Sequence, residues 1–348
     1  MAAAPDLQQK LADKLWNTLF GGGDMPLLPP WQLRAGQKDR QAVRESELAV
    51  IQSMLAELDD LHTGRKIFNR HGEIVEAADA QLLAGIRINP LIEQAEDDPL
   101  DELRVPGTAE ALQAVRLEAD ILALRHSLHV RRVGLRADMQ AEMLLVTSLS
   151  ERPVEPDWLL RWRDCAARAV ATDFQEMWAR VLVDEVRQPG THSVRTLMFL
   201  GTLSKADMAT IRFMTRLDLG GFICREAAGY FQRDIHGPMF AQMEEMGLLK
   251  AGAELVTLKS VTPKGFRAVL RSQSKALYIE GEGKELTLSA RLFTPLGREV
   301  NGLFTGMPDT GYLFALGNVL KSRGFHIDIG DWSNEAGGKG FFSEKMSL

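Results

Sequence analysis

Residues 156–190 read PDWLLRWRDCAARAVATDFQEMWARVLVDEVRQPG, and two apolar stripes in this stretch decide the fold class. Leu159, Trp162, Ala166 and Val170 recur at helical spacing, and so do Phe174, Met177, Trp178, Val181 and Leu182, with Glu176, Arg180, Asp184 and Glu185 between them. Asp157 follows Pro156 where a carboxylate caps the first amides and meets the positive end of the helix. Thr172 or Asp173 opens the second helix, and Gln188-Pro189-Gly190 ends it. Thr191 or Ser193 then starts a third helix with Leu197 and Leu200, and Leu203-Ser204 caps a fourth that reaches about Leu217. Helices joined by such short turns form hairpins and bundles.

The helical pattern extends toward the N-terminus. Leu7, Leu11, Leu15 and Leu19 recur every fourth residue, widened by Trp16 and Phe20, and the helix stops at Gly21-Gly22-Gly23 before Pro26, Pro29 and Pro30. Asp6, Lys10, Asp13 and Lys14 balance its polar face. That balance favours docking on protein over insertion at a membrane surface, which takes a cationic excess. A second helix is expected from about Gln37 to Leu61, and KIFNRHGEIV (Lys66 to Val75) reads as a small hairpin or irregular loop. Residues 77–88 read as a short helix and residues 94–106 as an acidic, proline-interrupted linker.

Thr108 opens a long helix that runs nearly to Ser150. Leu112, Val115, Ala119, Leu122, Val130, Val133 and Leu145 give it an apolar stripe. Arg125, His129, Arg132 and Arg136 fall at i, i+4, i+7 and i+11, so four basic side chains share one side of the helix. Two readings stand: a face salt-bridged by Glu118, Asp120, Asp138 and Glu142, or a surface that binds nucleic acid or an acidic partner.

Beyond residue 220 the pattern becomes mixed. PMFAQMEEM (Pro238 to Met246) is helical, Gly247-Leu248-Leu249 ends it, and Glu254 to Val261 alternates as a strand does. Thr262-Pro263-Lys264-Gly265 leads into an expected helix at Phe266 to Arg271. The same punctuation, Thr294-Pro295-Leu296-Gly297, follows a strand at Glu285 to Leu292 and precedes a helix at Arg298 to Leu303. A helix at Tyr312 to Lys321, an edge strand at Phe325 to Ile329 and a Gly-rich tail complete the chain. Helix, GLL, strand, Thr-Pro-x-Gly and helix is similar to the end of winged-helix domains of bacterial regulators. The helix that would read a DNA groove there offers Arg233 and His236 against Asp234, Glu244 and Glu245, a poor surface for phosphate.

The 348 residues, 45% hydrophobic and 25% charged, are ordinary for a globular protein and exclude disorder or a disulfide scaffold as a description of the whole chain. Net charge is −6, against general coating of nucleic acid. Cys165 and Cys224, both expected in helices, read as buried thiols of a reducing cytoplasm. No signal peptide and no transmembrane segment is expected. Phosphate-loop, HExxH, G-x-S-x-G and dinucleotide motifs are missing from the sequence. His126 and His129 are poor metal ligands beside Arg125, Arg131 and Arg132, so no metal and no cofactor is expected.

The string Asp157-Trp158, Gln175-Glu176-Met177-Trp178-Ala179-Arg180-Val181-Leu182, Glu185, Gln188-Pro189-Gly190, Ser193, Arg195-Thr196-Leu197, Leu200 and Leu203-Ser204 resembles the bacterial domain of unknown function 2806, most strongly over about Leu117 to Asp218. The resemblance implies a mostly helical bacterial protein and no particular activity. In helical character alone the chain is similar to alpha-type abortive-infection proteins linked to phage defence. Physically, Asp157, Trp158, Gln175, Trp178, Glu185, Pro189, Gly190, Ser193 and Arg195 read as structural: tryptophan anchors, helix ends and a charged clasp across the Pro-Gly turn. The alternative is a polar pocket of Glu185, His192, Ser193 and Arg195 serving a cryptic hydrolase.

The expected architecture is mainly α, a multi-helix core with a small C-terminal α/β winged-helix-like part. Its divisions are an N-terminal arm and linker (1–31), a helical region (32–106), a helical core (107–220) and the C-terminal part (221–348). The expected function is non-enzymatic binding of a protein partner or a second copy, with anti-phage defence as a candidate setting and nucleic acid as the alternative partner.

Overall fold

The leucine stripe of the first helix is enclosed by protein. In α1 (Ala4–Phe20), Leu11, Leu15 and Leu19 are buried, so the apolar face that periodicity placed on one side finds its partner within the chain. The computed structural model describes residues 4–20, 40–68, 74–77, 108–144, 146–227, 229–231, 233–262, 265–304, 306–334 and 340–348. They divide into two compact units, Met1–Arg187 and Gln188–Leu348. The expected stop at residues 21–30, residues 78–88 of the helix expected over 77–88 and the linker at 94–106 lie outside the described residues.

The N-terminal unit is assembled on one long helix. α2 (Arg40–His62) precedes a hairpin of β1 (Lys66–Phe68) and β2 (Ile74–Glu76), paired antiparallel with Ile67 opposite Val75. α3 (Thr108–Met143), α4 (Pro156–Ala167) and α5 (Thr172–Arg187) follow, and α3 packs against α1, α2, α4 and α5. Gly134 lets α1 come close: a Cβ there would stand 3.1 Å from Leu19 Cδ1. Ile51 and Leu58 of α2 meet Leu128 and Leu135 of α3, with Trp16 of α1 against the same cluster. Lys14 extends its ammonium to the carbonyls of Ser150 and Val186, at 2.8 and 2.7 Å. Its docking therefore combines apolar burial with hydrogen bonds to two chain segments. Two expectations change here: α3 ends at Met143, short of Ser150, and Asp157 is not the cap of the helix that follows. The N-cap of α4 is Glu155, without a side-chain bond, and Asp157 occupies the first turn, where it serves the helix dipole but not the cap.

In the C-terminal unit the helix starts follow the expected cap chemistry. Ser193 caps α6 (Val194–Leu200) by accepting from the Thr196 amide, and Ser204 with Asp207 forms a capping box on α7 (Lys205–Thr215). β3 (Phe222–Cys224), α8 (Arg233–Glu245), β4 (Glu254–Lys259), β5 (Phe266–Ser272), β6 (Lys275–Gly281) and β7 (Glu285–Leu292) follow. Then come α9 (Pro295–Leu303), capped by Thr294, α10 (Thr310–Ser322), capped by Asp309, β8 (His326–Asn334) and β9 (Gly340–Ser347). One antiparallel sheet runs β3-β7-β4 and a second runs β5-β6-β8-β9. Helices thus predominate in the chain, and antiparallel sheets fill its second unit.

Three expectations are corrected in this unit. Residues 266–271 form a strand and not a helix, because Phe266, Ala268 and Leu270 are buried while Arg267 and Arg271 are exposed, a period of two. Cys224 sits on β3, where burial pushes its thiol up to about 11; Cys165 is on a helix, as expected. The Gly-rich tail holds β9, paired with β8 through Ile329 opposite Met346.

Two substitutions test this packing. Leu15→Ala removes a fully buried side chain and is expected to lower the stability of the N-terminal unit by about 2–5 kcal/mol. Denaturant unfolding followed by tryptophan emission reads it, since five of the six tryptophans precede residue 188. Gly297→Ala places a Cβ against the Leu248 carbonyl and is expected to destabilise the C-terminal unit by about 1–3 kcal/mol, with a lowered Tm in calorimetry.

Candidate functional site

The tryptophans and amides of the 156–190 stretch are joined to backbone. Trp158 and Trp178 are buried, and the indole N–H of fully buried Trp162 donates to the Trp178 carbonyl at 2.9 Å, tying α4 to α5. Gln175 is buried and its Nε2 donates to the carbonyls of Ala169 and Val170, closing the turn before its own helix. Glu185 is buried near the end of α5, within electrostatic reach of Lys14. Burial holds the Lys14 ammonium below the ordinary lysine range, against the opposing pull of Glu151 and Glu185. Pro189 is buried and Gly190 has φ +92°, the left-handed conformation that a turn after a helix requires.

Ser193 begins a short hydrogen-bonded relay. Glu299 on α9 accepts from the Ser193 amide at 2.9 Å and from the Thr196 hydroxyl at 2.5 Å, while Ser193 Oγ accepts from the Thr196 amide. The serine hydroxyl is thereby occupied in capping α6. Arg195 is exposed, and His192 is buried. Glu185 belongs to the first unit, and His192, Ser193 and Arg195 to the second. Among the described residues no group of three His, Cys, Asp or Glu side chains is placed to hold a metal ion.

The basic stripe lies on α3 among helices. Arg125 pairs with Asp59 of α2 at 2.6 Å, and Arg136 pairs with Glu176 of α5 at 3.3 Å. His129 is buried between them. Burial first, and then the neighbouring Arg132, Arg125 and His126, hold its imidazole below the ordinary histidine range, with Asp59 opposing. Arg132 is lowered too, by burial and by Arg136 beside it.

A second charge cluster was half foreseen: the sequence reading offered Asp138 and Glu142 as partners of the basic stripe but did not name Arg44. Arg44 of α2 donates to Asp138 and to both carboxylate oxygens of Glu142, each at 2.6 Å, and both Arg44 and Asp138 are buried. Those hydrogen bonds hold the guanidinium well above its usual range against the opposing effect of burial. Asp138 and Glu142 one turn apart on α3 were a readable signal, but the long-range partner Arg44 was not. Also unforeseen are the aromatic residues of the second sheet, Tyr278, Trp332 and Phe342.

This geometry sits partly within a known family segment. Residues 137–219 match the family model described as Protein of unknown function (DUF2806). The match starts in the last third of α3 and runs through α7, so it takes in the tryptophan pair, Gln175 and the Ser193 and Ser204 caps. Neither the curated proteins nor the solved structures contain a match to this chain. No helix among the described residues is long and apolar enough to cross a membrane.

Arg44→Met leaves the buried Asp138 carboxylate without its guanidinium and is expected to cost about 3–5 kcal/mol, read by chemical denaturation. His129 supplies a pH dependence. Its folded-state pKa is depressed, so the neutral form is favoured in the fold. That stability is complete above about pH 6.5 and is lost as pH falls below that unfolded value toward the lower folded one. Melting temperatures of the N-terminal unit should fall with acidification through this window, with a shallower slope in His129→Gln.

Proposed function

We propose that the chain is a non-enzymatic binding protein that works through a protein partner, a second copy of itself being the first candidate, with the solvent side of α3 as the docking surface. One observation carries this reading. Val115 and Leu122 are 62% and 50% exposed, and with exposed Ala119 they form an apolar row at i, i+4 and i+7 on the first half of α3. Isolated exposed apolar side chains need no explanation, but a contiguous row on one helix face is the pattern of an interface. Support of a second kind comes from the polar groups of the 156–204 segment. Gln175, Ser193, Thr196 and Ser204 are bound into turns, caps and a clamp.

The C-terminal part fits the same role. The order β3-β7-β4, with α8 between β3 and β4 in sequence, supports a winged-helix-like reading of that sheet. Pro238, Ala241 and Glu245 are exposed on α8, a surface better suited to protein than to phosphate. A bacterial defence setting rests on the helical likeness to abortive-infection proteins alone, and the neighbouring genes would test it.

Light scattering of the intact chain, together with pull-down from the native host, tests the reading. A dimer or a stoichiometric protein partner is expected, lost in Val115→Asp and Leu122→Asp. Both variants should melt as the parent does, because the replaced side chains are exposed. A monomeric mass with no retained protein, or unchanged association in Leu122→Asp, overturns it.

A further inference from the structure

The second sheet carries aromatic side chains on the face where water normally selects polar ones. Its covered face is conventional: Leu277, Ile279, Ile327 and Ile329 are buried, and Gly317 of α10 lies close to Leu277 and Ile327. Register places Val269, Tyr278 and Asp328 in one row of the opposite face, with Arg267, Glu280 and His326 in the row beside it. On that face the rings of Tyr278 and Phe342 stack, 6.1 Å between centroids at an interplanar angle of 29°. Trp332 is the register partner of Phe342, and the Arg271 guanidinium lies 5.5 Å from its ring centre.

Two small residues make this layer possible. Register sets Arg271 opposite Ala276 and Ala276 opposite Gly330. A Cβ at Gly330 would fall 2.8 Å from the Phe342 ring, so the ring lies down on the sheet where a side chain is missing. Ala276 is fully buried at the neighbouring register position. The result is three half-buried rings and one guanidinium on an antiparallel four-stranded sheet.

We propose that this face binds single-stranded nucleic acid by stacking unpaired bases on Tyr278, Phe342 and Trp332, with Arg271 meeting the phosphate backbone. A four-stranded sheet with two or three aromatic rings is a platform on which unpaired bases stack, and stacking takes any base because each has a π-face. Charge on the hairpin agrees. Residues 266–281 hold Arg267, Arg271 and Lys275 against the single carboxylate Glu280, in a chain of net charge −6. Glu280 is paired with Arg267, Asp331 with Lys275 and Asp328 with His326. Arg271 is engaged with a ring, which leaves its charge available to a phosphate. This site does not depend on the α3 surface.

Fluorescence anisotropy of a labelled oligothymidylate, titrated with the full chain at low salt, tests the proposal. Saturable binding is expected, weakened by added salt and about tenfold weaker for a duplex of the same length. Arg271→Glu and Tyr278→Ala should each weaken it about tenfold or more. Arg271 is exposed, so its variant should keep the parental melting curve and separate loss of binding from loss of fold. Leu122→Asp should bind the oligonucleotide as the parent does, which keeps this result apart from the fate of the α3 interface. No anisotropy change, equal affinity for the duplex, or binding retained in Arg271→Glu but lost in Arg132→Glu overturns the assignment to the sheet.

Discussion

A guanidinium buried between two helices governs how the N-terminal unit goes together. Removing Arg44 and Asp138 from water is costly, and the cost is offset only when both helices present their charges at one height. Arg44 meets Asp138 and Glu142 together, and those two carboxylates are one helical turn apart. A slide of α2 along α3 by a single turn would break at least one of these pairings. Apolar contacts between Ile51, Leu58, Leu128 and Leu135 supply attraction but tolerate sliding, since leucine packs on leucine in many ways. The ion cluster therefore selects the register, and α3 then offers fixed surfaces to α1, α4 and α5.

Hydrogen bonds from side chain to backbone do comparable work at the helix ends. The helices of the 156–215 stretch are seven to sixteen residues long, too short to persist in isolation. Ser193, Ser204 and Gln175 each satisfy backbone groups left open at a helix end or turn, and each such cap contributes about 1 kcal/mol. The Trp162 indole does the same across two helices. Polar residues that look like chemistry in a linear sequence, a serine beside a histidine above all, here complete backbone hydrogen bonding. Consecutive residues share no function merely by adjacency.

The parts of the fold legible in the sequence were those set by local rules. Apolar periodicity located the helices at 4–20, 40–62, 156–167 and 172–187, and Ser or Thr caps located the starts of the helices at 194, 205 and 295. Strand alternation located β4 and β7. What failed was decided by long-range pairing. Residues 266–271 follow a Thr-Pro-x-Gly signal identical in form to the one that does open α9, yet β5 forms because β6 is available beside it, with Ala268 opposite Ile279. β9 follows Gly337 and Gly338 and opens on Gly340, so the local signal there is that of a turn, and its pairing with β8 is what the sequence did not announce. The same limit applied to the site residues: Lys14, Arg44 and Glu299 each act on groups between 94 and 172 residues away.

The two surfaces differ in the physics of what they can hold. Val115 and Leu122 are aliphatic, flexible and uncharged, and gain affinity by excluding water over area, so they reward a partner of complementary shape. Tyr278, Trp332 and Phe342 are planar and rigid, and a guanidinium lies over the Trp332 ring, so they reward a flat ligand. Net charge of −6 works against nucleic acid at long range, but screening limits that repulsion to about 8 Å at physiological salt. Within that distance the ligand sees the Arg271 guanidinium beside Trp332 and not the average of the chain. Affinity at such a face combines stacking, which salt leaves largely intact, with the backbone contact of Arg271, which salt weakens.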